Sequence, residues 1–341
     1  MAWQTSNPQR ILIVRLTALG DVIHGMPVAC ALRDAFPQAS ISWVVEGGAG
    51  DLLDGHPAVD QVIRVPRRWL KSPRDVWRLR RRLIAERFDV TVDLQSLTKS
   101  AVAARLSGAR RRIGAGGDSA RELSGWLNNE RPVVSASHVV DHYLGILAPL
   151  GIVAPQVRFD LPERAEDGRF ADQAIAACRL QSERFVVLNP GAAWQSKLWP
   201  TERYGELAAR LGETYGLPSL AVWGGNEEPL AEQIVASSRG WAHLAPSTRL
   251  RELAAVSRRA RLFVGSDTGP MHLSVAVGTP TISLHGPSQS EWCGAYGSSN
   301  ARVQAYYHEG TSRERRAATD AAMRAIDVDA VWNSCQRLLA A

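Results

Sequence analysis

Ser266-Asp-Thr-Gly-Pro-Met-His272 brings a carboxylate, a hydroxyl, a glycine and an imidazole into one short stretch. It follows the apolar run Leu262-Phe-Val264 and precedes the helical pattern Leu273-Ser-Val-Ala-Val277, so the spacing predicts a strand, a tight loop and a helix. Pro270 suits the first helical turn, Thr268 or Asp267 can cap it, and Gly269 allows close backbone approach to a ligand. Free N–H groups and the positive dipole end at such a helix start favour a phosphate. The chain opens on a second unit of this kind: Ile11-Leu-Ile-Val14, the loop Leu16-Thr-Ala-Leu-Gly-Asp21, then a helix through Arg33. Asp21 stands where that loop enters the helix, and its carboxylate reads as an N-cap or as a general base. His24, one turn on, reads as a helix-surface neighbour.

Other polar clusters read more plainly. Trp223-Gly-Gly-Asn-Glu-Glu228 is a turn before a helix. Arg64, Arg67, Arg68, Lys71, Arg74, Arg78, Arg80, Arg81 and Arg82 form a basic run, which is a solvated face or a docking surface for an anion. No nucleic-acid recognition motif accompanies it, so no nucleic acid is expected. His138-Val-Val-Asp141-His142 has metal-like helical spacing but no evident third ligand, and Asp327-Val-Asp329 sits where aspartate caps a helix; no metal is expected. Gly114-Ala-Gly-Gly117 does not complete a dinucleotide fingerprint, and no cofactor is expected.

The elements that must position these residues alternate along the chain. Ile11–Val14, Ile41–Val45, Gln61–Val65, Val90–Leu94, Phe185–Leu188, Ser219–Trp223, Leu262–Gly265 and Thr279–Leu284 read as strands, with amphipathic stretches between them. In Asp75–Phe88, for instance, Val76, Leu79, Leu83 and Ile84 share a helical face and arginines fill the rest. Strand–helix alternation means parallel sheets covered by helices, an α/β fold. With 341 residues, two cores fit better than one. Pro155, Pro162 and many charges mark Gly151–Asp172 as a linker or boundary. The net charge of +6 favours an anionic partner. Cys30, Cys178, Cys293 and Cys335 are scattered, which suits a reducing compartment, and the polar opening Met1–Pro8 lacks a signal-peptide core; a cytoplasmic protein is expected.

In order along the chain, Ile11-Leu-Ile-Val-Arg-Leu-Thr-Ala-Leu-Gly-Asp-Val-Ile-His24, Leu188-Asn-Pro-Gly191 with Ser196-Lys-Leu-Trp-Pro200, and Ser266–His272 with Gly278-Thr-Pro280 resemble the signature blocks of the lipopolysaccharide heptosyltransferases. The resemblance implies a GT-B-type fold: two Rossmann-like domains facing a cleft. Residues 1–165 would bind the acceptor and 166–341 the nucleotide sugar, with the last helix crossing back to the first domain. It also implies inverting, metal-independent transfer of heptose from ADP-L-glycero-D-manno-heptose to the Kdo of an anionic, lipid-linked acceptor at the cytoplasmic face of the inner membrane. The alternatives are a family member acting on a later heptose or a different glycan, a sugar-nucleotide epimerase of similar fold, and a non-catalytic nucleotide-binding protein.

Carried over residue by residue, Asp21 becomes the base that deprotonates the acceptor hydroxyl, and Lys197 the cation that stabilises departing ADP. Glu227 is placed at the ribose, with Asp267, Thr268, Gly269, Met271 and His272 along the nucleotide diphosphate. Arg67, Arg68 and Lys71 resemble an acceptor-binding loop, and Lys99 and Arg121 lie in segments resembling further acceptor contacts. Ala192-Ala193-Trp194 depart from the pattern, because hydroxyl side chains are expected there near the phosphates.

Overall fold

A computed structural model describes residues 7–340; Met1–Ser6, and so most of the polar opening, lie outside the described residues. The chain divides into two compact units, Met1–Pro162 and Glu163–Ala341, against an expected boundary at 165/166.

The first unit is built on β1 (Arg10–Val14), β2 (Ser40–Glu46), β3 (Gln61–Val65), β4 (Val90–Asp93) and β5 (Arg111–Gly114). These form one all-parallel sheet in the order β3-β2-β1-β4-β5. β1 is central, and Ile11, Leu12, Ile13 and Val14 are all fully buried, which is why it is an unbroken apolar run rather than an alternating one. The helix that follows, Leu19–Ala35, buries every residue from Val22 to Leu32. It lies so close to β2 that a Cβ on Gly25 would stand 2.8 Å from Trp43 Cη2. The Pro73–Glu86 helix is two-faced instead: Ser72 caps it, Leu79 and Leu83 are buried with Val76 against them, and its arginines face water. Ile84, expected on the buried face, is exposed at its edge.

The second unit carries β6 (Val186–Asn189), β7 (Ser219–Ala221), β8 (Ala242–Leu244), β9 (Leu262–Ser266), β10 (Thr281–His285) and β11 (Ala301–Gln304). They form a parallel sheet ordered β11-β10-β9-β6-β7-β8. Counted from β6, that is the 3-2-1-4-5-6 order of the Rossmann fold read from the other edge, and the first unit repeats its first five places. In both, the strand order reverses beside the first strand, between β1 and β4 and between β6 and β9. Ligands of such sheets bind beyond the carboxyl ends of the strands at that point. The terminal helix, Val328–Ala340, buries Val331 and Cys335 in the second unit's core.

Three strands were not expected: β5, β8 and β11. Each is an edge strand. Short, only partly buried and, in β5 and β11, rich in polar residues (Arg-Arg-Ile-Gly and Ala-Arg-Val-Gln), they lack the apolar run that marks a strand buried on both faces.

Candidate active site

In the second unit the reversal point is occupied by one interlocked ionic cluster. Asp267 follows β9 directly, and Lys197 lies in the loop after β6. Lys197 Nζ donates to Asp267 Oδ2 at 2.6 Å and to the Asp267 carbonyl at 2.9 Å, and it sits 4.9 Å from the centre of the Trp194 ring. An ammonium has three donors, so one remains for a ligand. The other carboxylate oxygen of Asp267 lies 3.0 Å from His272 Nε2. Burial would push the Asp267 carboxyl up, but Lys197 and His272 outweigh it and hold it well below the usual carboxylate range.

The lysine loop is held from beneath. Trp199 is buried, donates from Nε1 to the Ile326 carbonyl at 2.9 Å and meets Tyr204 edge-on at 4.7 Å, while Ser196 Oγ donates to the Arg315 carbonyl at 2.8 Å. The apolar anchor of Ser196-Lys-Leu-Trp-Pro200 is therefore what fixes its charged tip.

The helix Gly269–Ala276 starts beside this cluster, with Pro270 in its first turn. Thr268 occupies the N-cap position, but its hydroxyl donates back to the Ser266 carbonyl at 3.2 Å and does not cap; Asp267 is spent on Lys197 and His272. The first N–H groups of the helix thus lack the side-chain cap expected for them and are open to an anion. Met271 is fully buried.

Glu227 is half-buried and Glu228 exposed. The Glu227 carboxylate lies against Gly191 so closely that a Cβ there would come within 2.0 Å of Oε2, and it accepts from the Gly224 N–H at 3.3 Å. Burial pushes its carboxyl up, and the Gly224 contact pulls it partly back. Ala192 and Ala193 lie in the same loop and offer only backbone groups.

In the first unit Asp21 is at the third helical position, not at the N-cap. The helix starts earlier than expected, at Leu19, and Asp21 Oδ2 accepts from the Ala18 N–H at 2.9 Å. The same oxygen lies 2.6 Å from Arg15 Nη2. Arg15 is buried and Asp21 is 37% exposed, so the carboxylate is fixed from below and open above. The Tyr143 ring lies 5.3 Å from the guanidinium, and its hydroxyl bonds Asp21; burial, chiefly, pushes that phenol up. Asp93, at the end of β4, is buried nearby and accepts from the Gln95 and Ser96 N–H groups and from Asn128; burial still raises its carboxyl. His24 is buried, edge-on to His138 at 5.8 Å, rather than on the helix surface.

The basic loop is short and pinned. Trp69 is fully buried and donates to Glu46 Oε1 at 3.0 Å, which leaves Arg67, Arg68 and Lys71 exposed around it. Lys99 is engaged in the same anchor: it pairs with the buried Glu46 and donates to the Arg67 carbonyl at 2.8 Å. Arg121 is exposed, in a segment tied to the start of the Thr98–Leu106 helix by Glu122. Among the described residues the side chains of Arg67, Arg68, Lys71 and Arg121 have no ion pair.

Elsewhere, His138 caps its helix through Nδ1, which accepts from the Val140 N–H at 3.1 Å. Asp327 accepts from the Ala330 N–H at 2.7 Å as a cap, and Asp329 pairs with Arg210. Sequence reasoning passed over Arg15, Tyr143 and Asp93, and over His285 and Cys293 beside Asp267. Arg15, Asp93 and His285 do sit at a strand's carboxyl end, a signal that was available. The others are brought in by distant parts of the chain.

Residues 76–322 match the family described as glycosyltransferase family 9 (heptosyltransferase). The lipopolysaccharide heptosyltransferase 1 of Pseudomonas aeruginosa is 33% identical over 306 residues, 86% of this chain and 83% of that protein. Among solved structures, the E. coli heptosyltransferase WaaC with ADP-2-deoxy-2-fluoro heptose superposes with a TM-score of 0.76 at 25% identity, covering 96% of this chain and 99% of that one. A family 9 glycosyl transferase from Veillonella parvula shares the fold at a TM-score of 0.80 and 20% identity, over 97% of both chains. The α/β fold of two Rossmann-like units is thus that of the GT-B heptosyltransferases, and the chain belongs to glycosyltransferase family 9.

Proposed function

We propose that this glycosyltransferase moves heptose, with inversion and without a metal ion, from ADP-L-glycero-D-manno-heptose to the Kdo of the lipopolysaccharide inner core. The relatives named as heptosyltransferase 1, and the solved relative that holds an ADP-heptose analogue, support this choice of donor and step. The observation that carries the mechanism is the Lys197–Asp267 pair beside the uncapped start of the Gly269–Ala276 helix. Departing ADP gathers negative charge on its diphosphate. A fixed ammonium with a donor to spare, together with helix N–H groups, meets that charge without reorganising. Glu227 is positioned for the ribose hydroxyls and His272 steadies Asp267. Asp21 takes the proton of the acceptor hydroxyl as the new glycosidic bond forms on the opposite face of the sugar. Arg15 and Tyr143 orient that carboxylate.

Arg67, Arg68 and Lys71 bind the anionic groups of the acceptor, with Arg121 beside them and Lys99 holding the loop. Among the described residues no helix is long and apolar enough to cross a membrane. The same basic face, with the exposed Trp77 stacked by Arg81, holds the enzyme against the anionic cytoplasmic surface of the inner membrane.

The test is ADP release from ADP-heptose with and without a de-acylated Kdo-terminated acceptor. Release that requires the acceptor and persists in EDTA supports the proposal. Release without any acceptor favours a hydrolase or epimerase, and loss with EDTA restored by Mg²⁺ overturns the role given to Lys197.

A further inference from the structure

Beside the Lys197–Asp267 pair lie two side chains, His285 and Cys293, that the transfer reaction does not use. One ring nitrogen of His285, Cys293 Sγ and a carboxylate oxygen of Asp267 all lie within 4.8 Å of one another. His285 ends β10 and is fully buried. Its Nδ1 meets Ser288 Oγ at 3.2 Å, and its Nε2 has no hydrogen-bond partner among the described residues. A buried imidazole nitrogen without a partner is costly, and its presence calls for an explanation. Cys293 Sγ stands 3.5 Å from Asp267 Oδ2, its hydrogen shared with the Gln289 carbonyl at 3.3 Å.

We propose that Asp267, His285 and Cys293 form a binding site for one thiophilic divalent cation, of which Zn²⁺ is the best fit, and that its occupancy switches the transferase off. A thiolate, an imidazole and a carboxylate are the ligand types zinc takes. With bonds of about 2.0–2.3 Å, tetrahedral ligand atoms lie roughly 3.5 Å apart. The sulfur and the carboxylate oxygen already stand at that spacing, and a ring nitrogen of His285 lies within 4.8 Å of the sulfur and of an Asp267 oxygen. The thiol proton leaves to solvent as the Cys293–metal bond forms.

Inhibition follows from the shared oxygen. Lys197 Nζ lies 2.6 Å from the same Asp267 Oδ2 that faces Cys293, so ammonium and metal compete for one carboxylate and repel each other. A bound cation takes Asp267 from Lys197 and releases the ammonium from its fixed place. This consequence, unlike the site itself, rests on the proposed role of Lys197 in stabilising departing ADP.

The experiment titrates the metal-stripped, full-length protein with Co²⁺ alone. One equivalent should bind, with the charge-transfer absorption that marks a thiolate ligand, and Zn²⁺ should displace it. Cys293→Ser should abolish that absorption and weaken binding on the order of 100-fold or more, since even groups behind the ligands cost 10–100-fold. His285→Gln should weaken binding similarly while keeping the absorption at higher Co²⁺. Thermal unfolding of the metal-free variants checks that they fold, and Zn²⁺ should raise the melting temperature of the parent protein but not of Cys293→Ser. No thiolate absorption in the parent protein, or absorption undiminished in Cys293→Ser, overturns the site. In the transfer assay, Zn²⁺ should inhibit the parent protein at concentrations that leave Cys293→Ser at its own metal-free rate. Cobalt binding as expected with transfer indifferent to Zn²⁺ would keep the site and overturn its coupling to Lys197.

Discussion

The two units repeat one strand order but treat charge in opposite ways. At the second reversal point Asp267 and His272 are buried, Lys197 is partly buried, and the three satisfy one another, on a loop locked by Trp199. At the first, the buried group is the cation, Arg15, and its carboxylate partner Asp21 stays partly open. Further out, Arg67, Arg68 and Lys71 are exposed and without ion pairs among the described residues. The second arrangement suits a constant ligand, because a preorganised charge needs no rearrangement when it acts. The first suits a variable one, since exposed arginines are screened, mobile and tolerant of where an anion sits. That contrast is what the proposed function requires, with a nucleotide handled by the second unit and an anionic acceptor by the first.

The contrast predicts its largest effect at Lys197. Lys197→Ala should cut kcat on the order of 10²–10³-fold, as removal of one preorganised charge does in other sites. It should also destabilise the fold, since stripping one partner from a buried pair costs about 3–5 kcal/mol. Steady-state kinetics with a parallel melting curve separates the two effects. A folded variant with parental turnover would remove Lys197 from the chemistry and with it the contrast. Asp21→Asn comes next. It keeps the size of the side chain and an oxygen for the Ala18 N–H but loses the base, so kcat should fall roughly 10²-fold or more with ADP binding unchanged. Unchanged turnover at unchanged stability would leave Asp21 only its capping contact.

Burial in the second unit should also appear in the pH dependence of stability. Burial lowers the pKa of His285 from 6.5 to about 4. The unfolded chain therefore binds a proton between those values that the folded chain refuses. Stability from this residue is complete above 6.5 and is lost as the pH falls toward 4. The full loss is about 3 kcal/mol, at 1.36 kcal/mol per pK unit. Denaturant unfolding from pH 7 to 4 should show it, and His285→Gln should flatten the slope; equal slopes in the two proteins would mean that the imidazole charges without cost.

How much of this contrast was legible in the sequence follows from the same physics. β1, β6 and β9 announce themselves because strands buried on both faces are unbroken apolar runs, and the loops after them carry Asp21, Lys197 and Asp267 in recognisable order. Three of the four edge strands, β5, β8 and β11, do not. Partnership was the other blind spot. Lys99 lies in a segment resembling acceptor contacts, and nothing in that segment announces Glu46, far away in sequence, which pairs with it. Thr268 looked like a cap until its hydroxyl turned to Ser266. Met271 stands in the motif but is fully buried. A motif reports which side chains are present and where the backbone turns, while the direction each side chain takes depends on neighbours supplied by other strands.

The exposed side of the comparison should respond to salt. Changing Arg67, Arg68 and Lys71 together to Ala should raise the acceptor KM and leave ADP-heptose affinity nearly intact. For the parent protein, acceptor KM should climb with ionic strength over the range where the screening length shrinks to about 8–10 Å. The triple variant should lose most of that climb. Trp69 still fills its pocket on Glu46, so the loop should keep its fold. Acceptor kinetics unaltered by the triple change would reduce the run to a solvated face.

The smallest effect is expected at Asp327. Asp327 and Asp329 form a close acidic pair, the sort that in other glycosyltransferases holds a divalent ion against the diphosphate. Here Asp327 accepts from the Ala330 N–H at 2.7 Å and Asp329 pairs with Arg210 at 2.5 Å, so each already has a structural partner on or beside the terminal helix. Asp327→Ala should therefore leave kcat and donor KM unchanged while costing about 1 kcal/mol of stability, the usual loss for a helix cap. The measurement is a melting curve beside a transfer assay run with and without added Mg²⁺. A variant that melts normally but loses turnover, or parental activity that depends on Mg²⁺, would move charge neutralisation from Lys197 and the Gly269 helix to this acidic pair. The second unit would then meet its nucleotide through a bound ion, and the contrast between a preorganised and an adaptable half would no longer rest on Lys197.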